Sequence, residues 1–223
     1  MSAASERGAL AEPPEPQDPP AEERILEAAC QLIAAEGIDD VRIARVATRA
    51  GVSTALVHHY FSTREELLER ALLQSFQLAA EERFGEEAEA DASGESATEA
   101  MARAIRTSLP EPGEPEREWV LWVELWLRAV RDPALQPVAA ALYGRYRSWL
   151  AAVIQAGVDS GEFEPVDVDA LADHAMALLD GLGLRALLRD PRMDLALARR
   201  TIAGILAPQL GLPPAALDPT GSR

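Results

Sequence analysis

A chain of 223 residues that is 48% hydrophobic is long enough for one large domain or two smaller ones, and apolar enough to bury a sizeable core. Its 37 acidic residues outnumber 21 basic ones, every one of them arginine, and the formal charge of −16 excludes a protein that coats nucleic acid or anionic membrane nonspecifically. The single cysteine, Cys30, excludes an intramolecular disulfide and a cysteine-based zinc cluster. The N-terminus is acidic and proline-rich, and no run of ~18 uncharged apolar residues occurs, so a cytoplasmic location without a membrane span is expected.

In chain order, residues 1–20 read as a disordered tail that ends at Pro19-Pro20. Residues 21–37 form an amphipathic helix carrying Ile25, Leu26, Ala29, Leu32 and Ile33, with Gly37 as its stop and Cys30 as a small core residue beside the stripe. A short helix over 42–50 buries Val46, Ala47 and Ala50. After the turn Gly51-Val52-Ser53, Ser53 caps a third helix that runs to about Phe61. A fourth helix starts at Ser62 or Thr63, where Thr63 and Glu66 have capping-box spacing, and fades near Gly85. An acidic connection over 85–95 follows. Further helices are expected at 96–108, 116–130, 134–160, 167–189 and 193–209, with a second disordered tail over 213–223. No segment alternates with period two long enough to be a strand. The expected fold is all-α with about nine helices. A helix-turn-helix unit (42–61) lies within a domain over 21–81, ahead of a larger helical domain over 82–212.

The chemistry is concentrated in residues 42–64, RIARVATRAGVSTALVHHYFSTR, which hold Arg42, Arg45, Arg49 and Arg64 and no acid. An acidic protein that binds DNA must gather positive charge where it meets phosphate. Two short helices joined by a three-residue, glycine-containing turn fit the helix-turn-helix plan, and the small Ser53, Thr54 and Ala55 let the second helix enter a major groove end-on.

The run from Gly37 to Leu68 resembles the DNA-binding domain of the TetR/AcrR family of bacterial regulators. The likeness rests on Gly37, Val46-Ala47, Ala50-Gly51-Val52-Ser53, His59-Tyr60-Phe61, Arg64 and Glu66-Leu67-Leu68. It implies a recognition helix over 53–60, with Thr54, Ala55 and His59 facing bases and His58 where the family places a phosphate-contacting tyrosine. Arg64 is implied to bind phosphate. Arg42 stands in place of the usual Ser or Thr, losing a cap and offering a phosphate contact. Arg45 is a candidate base reader, because Ala44 occupies a position where some members carry arginine. Tyr60 counts with the DNA-contacting set, although it and Phe61 suit packing better than base reading.

In the second domain, Trp119, Trp122 and Trp126 share one helix face, as do Tyr143, Tyr146 and Trp149 on the next helix. These side chains can line a pocket, or simply fill the core. The tryptophans, with Arg131-Asp132-Pro133 and Asp180-Gly181, resemble the choline-responsive BetI-like branch of the same family. The resemblance implies an inducer pocket formed from Trp119, Trp122, Trp126, Tyr143, Tyr146 and Asp180, for a cationic or hydrophobic small molecule. Glu124 is a second candidate acid beside the aromatics. A homodimer through the last two helices is also implied, which reads a palindromic operator and leaves it when inducer binds; on those helices Leu171, Ala175, Leu178, Leu179, Leu182, Ile202, Ile205 and Leu206 can pair with their symmetry mates or simply cap the monomer core.

No nucleophile elbow, phosphate loop or zinc-binding helix occurs, so an enzyme is not expected. His58 and His59 point about 100° apart on a helix and have no acidic neighbour, so no metal and no cofactor is expected. The rival readings are an all-α protein-interaction module and a helical enzyme outside known motifs. Steep salt dependence of DNA binding separates the regulator from both.

Overall fold

The computed structural model describes residues 19–76 and 94–218, and within these all regular structure is helical. The expected tail over 1–18, the acidic connection up to residue 93, the far end of the fourth helix and residues 219–223 lie outside the described residues. Among the described residues no helix is long and apolar enough to cross a membrane.

Helix α1 (Ala21–Glu36) begins with Glu22 and Glu23 at its positive end and stops at Gly37, whose φ of 80° favours glycine. A 3-10 turn (Ile38–Asp40) leads to α2 (Ile43–Ala50), then α3 (Thr54–Tyr60) and α4, over 64–76. The second half contains α5 (Ala97–Thr107), α6 (Glu114–Arg131), α7 (Gln136–Ser160), α8 (Val168–Leu187) and α9 (Leu195–Leu206). These fall within a few residues of the helices read from periodicity.

Two hydrophobic clusters hold the chain together. The first gathers Ile25, Ile33, Val46, Val57, Phe61, Leu67, Leu68 and Phe76 from α1 to α4, and continues into Leu121 and Leu125 of α6 and Leu142 of α7. The N-terminal unit therefore shares its core with the larger domain. Cys30 belongs to this cluster. Its thiol donates to the Ala71 carbonyl at 3.1 Å, and burial pushes its pKa up to about 12, so it is a packing residue and not a nucleophile. The second cluster joins α5, α7, α8 and α9 through Met101, Ile105, Leu150, Ile154, Leu171, Ala175, Leu179, Ile202 and Leu206.

One expectation is corrected. The tail over 213–223 is not wholly irregular, because Pro214–Leu217 forms a short helix, α10, that places Leu217 in the second cluster. Pro213 and Pro214 read as breakers, yet proline suits the first turn of a helix. Gly211, at φ 75°, turns the chain back onto the core before them.

Gly157 of α7 packs closely on the following loop, where an added Cβ would sit 2.0 Å from the buried ring of Phe163. Gly157→Ala is expected to destabilise the fold by about 1–3 kcal/mol through overpacking, read as a lower midpoint in urea. A stabilised variant, as helix propensity alone would give, would contradict this packing.

Candidate DNA-reading face and ligand cavity

The turn between α2 and α3 is built from local chemistry. Gly51 adopts the left-handed conformation that ends α2, the Val52 amide donates to the Ala47 carbonyl at 3.0 Å, and Ser53 Oγ accepts from the Leu56 amide at 3.1 Å to cap α3. Val57 anchors α3 in the core, and Ser53, Thr54, Ala55, His58 and His59 are exposed. Tyr60 is half-buried, packs against the first cluster and meets His59 edge-on. Phe61 is fully buried, with the Arg70 guanidinium 5.0 Å from its ring centre.

The four arginines of the basic island have different surroundings. Arg42 is exposed and makes no side-chain cap bond to α2. Arg49 is exposed and donates to Gln31 at 2.6 Å, a neutral partner that leaves its charge intact. Arg45 forms a two-pronged ion pair with Glu36, so the candidate base reader is partly neutralised on the protein's own surface.

Arg64 departs furthest from its expected role. Its Nε donates to the Val41 carbonyl at 2.7 Å, and its Nη2 to the carbonyls of Ile38 at 2.5 Å and Asp39 at 3.0 Å. The side chain is 23% exposed, and Nη1 lies 3.3 Å from Glu65. The guanidinium expected to meet phosphate is thus engaged by backbone. The 3-10 turn and the residue after it present carbonyls that α2 does not satisfy, and the planar fork of arginine spans them. Those partners are 23 to 26 residues away in sequence, so no local pattern announces them.

The six residues proposed for a pocket converge on one cavity. Trp119, Trp122, Trp126, Tyr143, Tyr146 and Asp180 line it together with Ser108, Glu118, Met176 and Leu179, around about 40 Å³ of solvent-accessible space. Trp122 and Trp126 each lie 6.1 Å from Tyr143, ring centre to ring centre, and Trp119 stands edge-on to Trp126. Gly183 of α8 makes room for the Trp119 ring, which would lie 2.4 Å from an added Cβ. The Trp119 indole donates to the Ser108 carbonyl at 3.1 Å. Ser108 Oγ and the Trp126 indole nitrogen are buried with no hydrogen-bond partner among the described residues.

Two acids and no basic side chain are among the lining residues. Tyr143 donates its hydroxyl to Asp180, and burial holds the Asp180 carboxyl above the usual carboxylate range. Glu124 is not among the lining residues. Glu118 is, and the signal was present, since Glu118, Trp122 and Trp126 follow one another at four-residue spacing on one face of α6.

The cavity wall touches the DNA-reading unit directly. Trp122 packs 4.2 Å from Phe76 of α4, ring centre to ring centre, and Arg117 of α6 pairs with Glu27 of α1 at 2.9 Å.

The residues considered for a subunit interface divide into three groups. Leu171, Ala175, Leu179, Ile202 and Leu206 are buried within the chain's own core, so of the two readings they fill the core, and Leu178 and Leu182 are half-buried. Only Ile205 of that set is exposed. It is joined on the outer surface of α8 and α9 by exposed Ala177, Gly181, Leu188, Leu197 and Gly204.

Comparison with known proteins matches two stretches of the chain. Residues 25–71 match the bacterial regulatory proteins of the tetR family, and residues 97–211 match the C-terminal domain of BetI-type transcriptional repressors. The HTH-type transcriptional regulator BetI of Cronobacter sakazakii is 28% identical over 189 residues, covering 84% of this chain and 89% of that protein. A solved structure of a putative transcriptional regulator from Saccharomonospora viridis in complex with choline is 31% identical, with a TM-score of 0.74 over 83% of this chain and 95% of that one. A putative TetR-family regulator from Rhodococcus sp. is 29% identical, with a TM-score of 0.70 over 85% and 98% of the two chains. With a reading helix on its surface, a cavity in its larger domain and both domain types matched in order, the chain belongs to the TetR family of ligand-responsive helix-turn-helix transcriptional repressors, in its BetI-type branch.

Proposed function

We propose that the chain is a dimeric repressor whose effector is a small organic cation bound in the aromatic cavity. The observation that carries this reading is the wall itself: five aromatic side chains and the half-buried Asp180 surround one small space that no basic residue lines. The negative faces of Trp and Tyr rings attract a cation, and a carboxylate supplies the counter-charge. The enclosed space is small, about 40 Å³, which suits a compact headgroup. Ser108 Oγ and the Trp126 indole N–H offer donors to an oxygen on the ligand. The similar regulator from Saccharomonospora viridis was solved with choline, a cation of this kind, and choline is the natural first probe.

On the DNA side, Thr54, Ala55 and His59 face base edges, and Ser53, His58, Arg42 and Arg49 lie toward phosphates. Tyr60 supports α3 from its inner side. The outer face of α8 and α9, with small Ala177, Gly181 and Gly204 flanked by Leu188, Leu197 and Ile205, pairs with the same face of a second copy. Two recognition helices about 34–36 Å apart then meet successive major grooves of a palindrome, in the cytoplasm where the chromosome lies. Ligand shifts the population toward a dimer whose recognition helices are wrongly spaced, because it binds that state more tightly.

Three outcomes test this reading. Purified protein should retard a duplex selected from a random pool, and the complex should weaken steeply between 50 and 200 mM salt; a protein that selects no duplex at low salt is not this regulator. Choline should change tryptophan fluorescence saturably. A cation needs Asp180 ionised, so affinity should fall as pH is lowered, starting at a higher pH than an ordinary aspartate would give. Asp180→Asn should weaken binding by about tenfold or more and flatten that profile; an unchanged profile removes Asp180 from the site. Gly181→Glu should convert a dimer to a monomer in sedimentation by placing charge in a close helix contact, and a persistent dimer would move the interface elsewhere.

A further inference from the structure

We infer that Arg64 is a positioning residue for DNA recognition, fastening the helix that carries the ligand signal to the turn that orients the reading head, and that it contacts no phosphate.

The geometry leaves little of Arg64 for DNA. A guanidinium has five N–H donors. Nε is used on Val41, both hydrogens of Nη2 are used on Ile38 and Asp39, and Nη1 faces Glu65. Glu65 is 70% exposed and places a carboxylate beside the guanidinium, where it would repel a phosphate. Nη1 alone is left for a phosphate, against the Glu65 carboxylate, and any fuller contact would require the arginine to abandon carbonyls, two of them within a part-buried setting.

The place of these bonds in the fold gives them a function. Arg64 is the first residue of α4, and its carbonyl partners form the link between α1 and α2. At the other end of the described part of α4, Phe76 lies against Trp122 of the cavity wall. Twelve residues at 1.5 Å each separate the two ends by about 18 Å. Leu67, Leu68, Ala71 and Leu72 between them are fully buried, so α4 is gripped along its length. A displacement of Trp122 therefore meets a stiff element whose far end is bonded at three points to the backbone that leads into α2. A planar fork on three carbonyls fixes orientation as well as distance, which an ammonium on a flexible stem cannot do.

The experiment compares Arg64→Lys and Arg64→Met with the wild type, using Arg42→Ala as a control for a lost phosphate contact. The probe is the duplex that the wild type selects from a random pool, together with the same duplex carrying one extra base pair between its half-sites. Affinity is measured at several salt concentrations and referred to the folded fraction found by circular dichroism. Both Arg64 variants should bind on the order of tenfold or more weakly at every salt concentration, with Lys giving no rescue. The slope of log affinity against log salt should match the wild type, whereas Arg42→Ala should reduce it by about one. Discrimination against the lengthened duplex should shrink, because the reading heads are no longer held at one spacing. A slope reduced by about one, with binding restored by Lys, would make Arg64 a phosphate ligand and overturn the inference. Unchanged affinity would overturn it as well. So would a loss that tracks the unfolded fraction with discrimination intact, which is what a merely structural role would produce.

Discussion

The two halves of this protein share one hydrophobic core, and within it Phe76 lies against Trp122. One ring belongs to the helix leaving the reading head, and the other to the wall of the cavity. Around them the first hydrophobic cluster runs without a break from α1 through α4 into α6 and α7. Interiors packed at this density are not continuously deformable, so a ligand that moves a cavity ring must move its neighbours or be refused. A shared core therefore gives a ligand in the cavity mechanical access to the helix-turn-helix unit, which a pocket isolated within the second cluster would lack.

Charge is managed with equal economy. A chain of net charge −16 places four arginines in residues 42–64, yet pairs Arg45 with Glu36 and turns Arg64 onto backbone carbonyls. Arg42 and Arg49 are in no ion pair among the described residues. On the proposed reading, where Arg42 and Arg49 are the arginines that meet phosphate, nonspecific affinity is low and specific binding depends on two correctly spaced heads. Such a dependence would make the proposed dimer switchable, since a small change in spacing removes half the contacts.

Much of the fold was legible because its causes are local. Helix spans follow from periodicity, and Gly37, Gly51 and Gly161 stop helices where a positive φ is needed. The aromatic wall was legible for a similar reason: Trp119, Trp122 and Trp126 lie on one face by spacing alone, and the structure brings Tyr143, Tyr146 and Asp180 to the same cavity. Tertiary causes were not legible. The burial of Leu217 depends on a core assembled from α5 and α9, and its proline-rich surroundings read as a tail. The partners of Arg64 lie across the N-terminal unit, and the half-burial of Leu178 and Leu182 depends on how α8 sits against α7 and α9. Positive charge in a helix-turn-helix segment suggests phosphate by composition, but only the fold decides which arginines face outward.

On the proposed reading, cavity and DNA face are energetically coupled through α4. The direct test is a closed binding cycle: affinity for the selected duplex with and without saturating choline, and affinity for choline with and without saturating duplex. Linkage requires the two ratios to be equal, and the account predicts a common factor of about 5–150-fold in the direction of mutual exclusion. Choline that binds the cavity while duplex affinity stays unchanged would contradict it.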